Sequence, residues 1–128
     1  RPWQHVLEPL SGYLLLAENI HNKKIKKVEQ HWNFGPNISS CKSVKYLTQY
    51  LSRKLKLKIV LDKKKSNLFK PETSILRLSN YKSRKFLSWY PKWSINKSLD
   101  KILQWNEDVK HKNVSDVCVD QIKEYLGN

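Results

Sequence analysis

The sequence predicts an α/β fold of mixed type, in which helices predominate and the strands are few and short. Apolar residues recur at helical spacing in three long segments, and shorter apolar runs between them alternate as strands do. The chain has 128 residues, of which 39% are hydrophobic, with five Trp and six Tyr. This composition is globular, and the length suits one modest core. We therefore expect a single domain over residues 1–128.

The first half of the chain predicts the order βαβαβ. Short strands are expected over residues 4–7, 31–35 and 57–61, with helices over residues 9–20 and 42–55 between them. Pro9 suits the first turn of the first helix, where its missing N–H costs nothing. The face of this helix that we expect to be buried carries Leu10, Tyr13, Leu14 and Ala17. Ser39 and Ser40 are the candidate N-caps of the second helix.

The second half of the chain is mainly helical. A lysine-rich loop over residues 62–71 and an extended stretch over residues 75–78 precede helices over residues 80–87 and 95–109. Ser94 and Ser115 are candidate N-caps of the last two helices, and Gly127 ends the final one after Leu126. The predicted strands are too few for a sheet of their own, so we expect them to pair with strands outside this chain.

The chain is strongly basic, with a formal net charge of +14 at pH 7. Such a charge raises the possibility of a small basic nucleic-acid-binding module. Only four of the 25 basic residues are arginine, however, and the lysines are dispersed apart from clusters at residues 23–27 and 63–65. Nucleic-acid binding would require the lysines to gather on one face, so we keep it as an alternative and expect no nucleic-acid partner.

Cysteine usage and hydropathy indicate a cytoplasmic protein without a membrane partner. Cys41 and Cys118 are too few for a disulfide framework and lack the spacing of a metal site, as do the four histidines. The longest apolar stretch, residues 13–17, is far shorter than the roughly 20 residues that cross a bilayer. We expect reduced thiols and no bound metal.

Four stretches in order along the chain carry a family resemblance. Residues 1–14 read RPWQHVLEPLSGYL, residues 32–36 WNFGP, residues 87–93 LSWYPKW and residues 121–125 QIKEY, with Trp105 closing the helix before the last stretch. Together they resemble the C-terminal, sugar-nucleotide-binding part of CDP-glucose 4,6-dehydratases, which are extended short-chain dehydrogenases/reductases. The resemblance implies that the predicted strands complete a Rossmann-type sheet whose NAD-binding half is absent from this chain.

The resemblance implies an enzymatic role in deoxysugar and surface polysaccharide biosynthesis, including lipopolysaccharide. Family members convert CDP-glucose to a 4-keto-6-deoxy sugar with a tightly held NAD, commonly as homodimers. This chain has no Gly-rich dinucleotide turn and no Tyr-x-x-x-Lys pair in the family's catalytic position. Tyr81 and Lys85 match the bare spacing but lie in the substrate-binding part. We expect the isolated chain to be inactive and to bind no NAD, with NAD bound in the full-length enzyme.

Four residues are the candidates for binding the nucleotide diphosphate. Arg1 matches the family arginine that contacts the diphosphate, and Lys42 stands where the second predicted helix begins, so its ammonium and the helix N–H groups would converge on one anion. Glu72 matches an acidic residue of the family's nucleotide pocket. His5 is either a pocket residue or a hydrogen-bonded histidine at a strand end. The plain alternatives are a solvated lysine for Lys42 and exposed surface residues for Arg1 and Glu72.

Two further interpretations stay open. Trp3, Trp89 and Trp93 would either stack on a base or, as is commoner in a small domain, pack in the core. Pro71, Ser79 and Ser88 depart from the family pattern, which leaves room for a related nucleotide-sugar dehydratase or epimerase with a different base or sugar.

Overall fold

The computed structural model describes residues 1–25, 31–60 and 76–127. These ranges contain five α-helices and one short 3-10 helix, Ile38–Ser40. The α-helices are α1 (Leu7–His21), α2 (Val44–Leu55), α3 (Tyr81–Leu87), α4 (Ile95–Asp108) and α5 (Val114–Leu126). The helix-rich character predicted from the sequence is therefore confirmed.

The predicted strands are wrong wherever the structure describes them. The described ranges hold only one isolated antiparallel bridge, between Pro2 and Cys41. Residues 4–7 lead directly into α1, and residues 31–35, 57–60 and 76–78 have no strand partner. Leu61 and Ile75, at the ends of two predicted stretches, lie outside the described residues. The physical reason is visible in residues 31–35, where side chains take the place of a neighbouring strand. Gln4 Nε2 donates to the Phe34 carbonyl at 2.8 Å, and Ser83 Oγ donates to the Asn33 carbonyl.

The Gly35 turn is held by a single side chain. Asn80 Oδ1 accepts from Gly35 N at 2.8 Å, while Asn80 Nδ2 donates to the Gly35 carbonyl. A side chain on Gly35 would collide with this arrangement, since its Cβ would lie 2.7 Å from Leu78 Cβ. Asn80 thus fixes the start of α3 against the turn before the 3-10 helix.

Helix α1 presents the opposite face to the core from the one predicted. Leu10, Tyr13 and Leu14 are 44%, 56% and 73% exposed, and Ala17 is exposed as well. The buried residues are Glu8 and Gly12. The reason is close approach at Gly12, where an added Cβ would lie 2.2 Å from Phe34 Cδ1. Only a glycine lets this face meet the Phe34 ring.

The main core cluster consists of Phe34, Leu87 and Trp89. Phe34 and Trp89 meet edge to face with ring centroids 5.1 Å apart, a favoured aromatic geometry. Partly buried apolar side chains surround the cluster, namely Leu15, Leu16, Ile25 and Trp32. Core packing is therefore confirmed for Trp89.

Helix caps decide where α2, α4 and α5 begin. Ser94 caps α4 by accepting from Lys97 N, and Gly127, with φ at 90°, ends α5, as predicted. Two predicted caps are wrong. Ser43, not Ser39 or Ser40, caps α2, because Ser39 and Ser40 belong to the 3-10 helix. Asn113, not Ser115, caps α5, since Asn113 Oδ1 accepts from Ser115 N at 2.8 Å.

Helix α2 is tied to α4 by two tyrosines one turn apart. Tyr46 donates to Asn96 Oδ1 at 2.6 Å, and Tyr50 donates to Asp100 Oδ1 at 2.8 Å. Lys54 also reaches Asp100, at 2.9 Å. Hydrogen bonding to Lys54 lowers the pKa of the Asp100 carboxyl, which stays ionised as the common acceptor. These polar contacts fix α2 against α4.

A buried carboxylate joins α1 to the C-terminal half of the chain. Glu8 is 0% exposed, although an isolated buried charge is strongly unfavourable. Its oxygens accept from the backbone N–H groups of Lys92, at 3.0 and 3.1 Å, and Trp93, at 2.7 Å. The Tyr125 hydroxyl donates to it from α5 at 2.8 Å. One side chain therefore holds α1, the turn before α4, and α5 together.

The network continues through Ser11, one turn along α1. Ser11 Oγ donates to the Glu8 carbonyl at 2.7 Å, accepts from Trp89 Nε1 at 3.0 Å and lies 3.1 Å from the Tyr125 hydroxyl. Burial, and to a smaller extent the Glu8 carboxylate, raise the pKa of Tyr125 well above its usual range. The hydroxyl therefore keeps its proton and acts as a donor to Glu8.

We expect Glu8→Ala to lower the free energy of unfolding by about 3 kcal/mol, because it removes the acceptor of the Lys92 and Trp93 backbone N–H groups and leaves the Tyr125 hydroxyl only its contact with Ser11. Tyr125→Phe should cost about 1 kcal/mol, since it removes one hydrogen bond of the same network. Glu18→Ala, on the exposed side of α1, is the matched control. Urea unfolding measures all three, and equal losses from Glu8→Ala and Glu18→Ala would contradict the role of the network.

Candidate functional site

Two predicted site residues 41 positions apart meet at the Pro2–Cys41 bridge. The main-chain nitrogen of Arg1 donates to the Lys42 carbonyl at 2.8 Å, and the main-chain N–H of Lys42 donates to the Arg1 carbonyl at 3.1 Å. Trp3 Nε1 donates to the same Lys42 carbonyl at 2.9 Å. We call Arg1, Lys42 and this backbone pairing the Arg1–Lys42 junction. These main-chain contacts bring the two cationic residues together without using the charged ends of their side chains.

Lys42 is displaced from the helix end where the sequence placed it. Helix α2 begins at Val44, and the Ser43 side chain already accepts from Tyr46 N. The prediction that Lys42 opens the helix is therefore wrong by two residues. Lys42 Nζ instead lies 5.3 Å from the centroid of the Tyr46 ring, a cation–π distance. Tyr46 therefore borders the Arg1–Lys42 junction, which the sequence analysis did not predict, although an aromatic residue four positions after a basic one was a visible signal.

His5 is buried beside the Glu8 network, with only 4% of the residue exposed. Its Nδ1 accepts from Leu7 N at 3.3 Å, and its ring meets Trp93 edge on at 4.9 Å between centroids. Burial lowers the pKa of His5, and the nearby Glu8 carboxylate offsets part of that effect. Of the two interpretations of His5, the hydrogen-bonded histidine matches these contacts, but the element that follows is a helix and not a strand.

An apolar groove of about 390 Å³ opens beside His5. It lies between the start of α1 and helices α4 and α5, and its walls include Val6, Ile102, Trp105 and Ile122. Val6 is 61% exposed, and Ile102 and Ile122 are 47% and 43% exposed. Helices α4 and α5 thus leave apolar surface uncovered on the side that faces the start of α1.

The remaining sequence candidates fall elsewhere. Glu72 lies outside the described residues. Tyr81, which is 65% exposed, lies on α3, and Lys85 Nζ sits 5.4 Å from the centroid of its ring. The ammonium thus lies over the ring face of Tyr81, in a cation–π contact. Among residues 1–25, 31–60 and 76–127, no group of His, Cys, Asp and Glu side chains could hold a metal ion.

The glycines of the chain are far apart in sequence and do not form a glycine-rich turn. The three glycines of the chain are Gly12, inside α1, Gly35, in the turn locked by Asn80, and Gly127, at the end of α5. None of them opens a strand-to-helix turn of the kind that cradles a dinucleotide pyrophosphate.

No helix in the described part of the chain is long and apolar enough to span a membrane.

The chain is similar to part of a curated dehydratase. No protein-family profile matches the chain. The chain is 32% identical to the CDP-glucose 4,6-dehydratase of Salmonella typhimurium strain LT2 over 112 aligned positions, which cover 84% of this chain. The match spans only 29% of that dehydratase. The two proteins are therefore related distantly and in part.

We expect His5 to make stability depend on pH between about 7.5 and 5. Since burial lowers its pKa from 6.5, the folded state holds the neutral imidazole, and stability is lost as pH falls below the unfolded value. His5→Asn keeps an acceptor for Leu7 N but does not titrate, so it should lose less stability over this range. Urea unfolding at both pH values measures this. His111→Asn, at an exposed site, should behave as the wild type, and a His5→Asn profile parallel to wild type would contradict the prediction.

Proposed function

We propose that this chain is the substrate-binding part of a CDP-glucose 4,6-dehydratase-like enzyme of sugar biosynthesis, and that it binds the diphosphate of a nucleotide sugar at the Arg1–Lys42 junction. The observation that carries the proposal is the backbone pairing of Arg1 with Lys42, in a chain that is related in part to the dehydratase. The cytoplasm, where activated sugars are made, is the compartment we propose for it.

The chemistry of the junction suits a diphosphate. A guanidinium offers a planar fork of donors that matches phosphate oxygens, and an ammonium adds a compact charge. The backbone pairing keeps the two residues adjacent at little cost in chain entropy when an anion arrives. The Tyr46 ring under Lys42 adds a flat apolar surface next to the charge. In this arrangement Arg1 and Lys42 bind the diphosphate, and Tyr46 positions Lys42.

Catalysis in this proposal belongs to a separate nucleotide-binding half that holds NAD and supplies the base. Arg1 and Lys42 would orient the sugar nucleotide toward that half, where NAD, when bound, would supply the hydride chemistry. The chain spans about 29% of the length of its dehydratase relative, which is compatible with such a division. The full-length enzyme would act as a homodimer, and this chain alone would show no turnover.

The outward face of α1 is the surface we propose for contact with the NAD-binding half. This α1 face carries Val6, Leu10, Tyr13 and Leu14, whose exposed fractions are 61%, 44%, 56% and 73%. At Val6 it joins the apolar groove beside His5. A continuous apolar surface of this kind marks an interaction site more often than a free surface. The net charge of +14 opposes pairing of the face with a second copy of the same chain.

We expect CDP-glucose to bind the chain with one saturable site in calorimetric titration, and Arg1→Ala and Lys42→Ala each to weaken binding about tenfold or more. Both variants keep the backbone pairing and remove only side-chain charge. Lys123→Ala, at an exposed position of α5, removes the same charge and is the matched control. CDP and UDP-glucose in parallel titrations distinguish recognition of the base from recognition of the diphosphate.

A short DNA duplex at low and moderate salt tests the alternative function. Duplex affinity falls steeply with salt because bound counterions are released, whereas a diphosphate held at two side chains is less sensitive. Binding of the duplex with no binding of nucleotide sugars would overturn the proposal and leave the relation to the dehydratase as ancestry alone.

We expect Leu14→Asp to leave the free energy of unfolding within about 0.5 kcal/mol of wild type, because Leu14 is 73% exposed. Leu16→Asp, two residues away but packed on the core cluster, should cost about 2–4 kcal/mol. Leu14→Asp should also reduce binding of an apolar fluorescent dye. Equal destabilisation by the two substitutions would show that other residues of this chain already cover the α1 face. It would then contradict the proposal that this face contacts the NAD-binding half.

A further inference from the structure

Arg84 borders a cavity that no part of the proposed function uses. The cavity has a volume of about 310 Å³ and lies between the turn after Phe34 and the start of α3. Three apolar side chains line it, Pro36, Ile38 and Leu78. Ser79, Asn80, Tyr81 and Arg84 supply its polar groups. It thus combines an apolar lining with one permanent positive charge.

The guanidinium of Arg84 is held in place before any ligand arrives. Arg84 Nη2 donates to Asn37 Oδ1 at 2.7 Å, and the guanidinium carbon lies 5.4 Å from the centroid of the Tyr90 ring. These contacts fix one edge and one face of the guanidinium plane. Arg84 Nε is buried and has no hydrogen-bond partner in the described part of the chain. The neutral amide at Asn37 satisfies one donor but leaves the charge without a counterion among the described residues.

The other polar groups of the cavity divide into committed and available ones. The Asn80 amide is used on both its oxygen and its nitrogen by Gly35, so it is part of the scaffold. Ser79 and Tyr81 each carry a hydroxyl that makes no hydrogen bond within residues 1–25, 31–60 and 76–127. A positioned arginine and two available hydroxyls around an apolar lining are the features of a small-ligand site.

We propose that this cavity binds a small oxyanion that carries an apolar group, with Arg84 as the fork for the anion and Pro36, Ile38 and Leu78 as the surface for the apolar part. A carboxylate and a phosphate monoester share the required chemistry, since both present paired oxygens to a guanidinium. The volume admits about one ring and its anionic group. The site is separate from the Arg1–Lys42 junction in sequence and in its residues, so it stands whether or not that junction binds a nucleotide.

Backbone amide NMR of the intact chain, titrated with phenyl phosphate, benzoate and the neutral benzamide, tests this site. We expect saturable shifts centred on residues 78–84 with either anion and at least about tenfold weaker shifts with benzamide. A preference for phenyl phosphate would identify phosphate monoesters as the ligand class, and a preference for benzoate would identify carboxylates. Shifts scattered over the lysine-bearing surface, or equal responses to anions and benzamide, would overturn the proposal.

Four variants separate the role of Arg84 from general charge and from folding. Arg84→Gln should abolish saturation, and Arg84→Lys, which keeps the charge and loses the fork, should weaken it about fivefold or more. Tyr81→Phe removes only the hydroxyl of an exposed residue. It should weaken binding of the anion modestly and leave the amide spectrum of the free protein unchanged. Arg53→Gln on α2 is the charge control. If Arg84→Gln does not fold, Arg84→Lys decides, and unchanged affinity in it or an equal loss in Arg53→Gln overturns the site.

Discussion

The rest of the structure depends on the buried Glu8 carboxylate. Burial of a charge is costly unless hydrogen bonds compensate it, and here they come from the backbone of Lys92 and Trp93 and from Tyr125. These donors lie 84, 85 and 117 positions away in sequence. Within the described part of the chain, the main core cluster has only three buried residues, so the hydrogen bonds to Glu8 contribute much of what holds the helices together. Because Glu8 must point inward and Gly12 must face Phe34, the rotation of α1 about its axis is fixed.

That rotation explains the principal difference between sequence and structure. Both faces of α1 carry apolar residues, so periodicity predicts the helix but not its orientation. The strip with Leu10 and Leu14 is the more apolar and was expected inside, yet it is outside. A carboxylate and a glycine face the core because Glu8 finds donors and Gly12 admits Phe34. Neither partner is visible from a local pattern, since both belong to distant parts of the chain.

The same distinction separates the features that could be predicted from those that could not. Helices α2, α4 and α5 follow from apolar spacing, from the Ser94 cap of α4 and from the terminal glycine of α5, and their ends lie within two residues of the predicted ones. The strands failed because a strand depends on a neighbour, and residues 31–35 bond to Gln4 and Ser83 side chains instead. For the candidate site, the sequence identified Arg1 and Lys42 as cationic candidates. It did not predict that Trp3 and the Pro2–Cys41 bridge bring them together.

The distribution of positive charge gives the two anion-binding hypotheses their selectivity. Eleven acidic residues cannot neutralise 25 basic ones, and several of the lysines lie over aromatic rings. Lys82, Lys92 and Lys97 lie over the rings of Trp32, Tyr125 and Trp93 at 5.0–5.8 Å. A lysine over a ring keeps a hydrated head that attracts any anion weakly. A guanidinium held by neighbours differs, because its donors are aligned before binding and less entropy is lost. In both hypotheses, specific anion recognition would therefore depend on how an arginine is held, and local lysine density would contribute attraction without specificity.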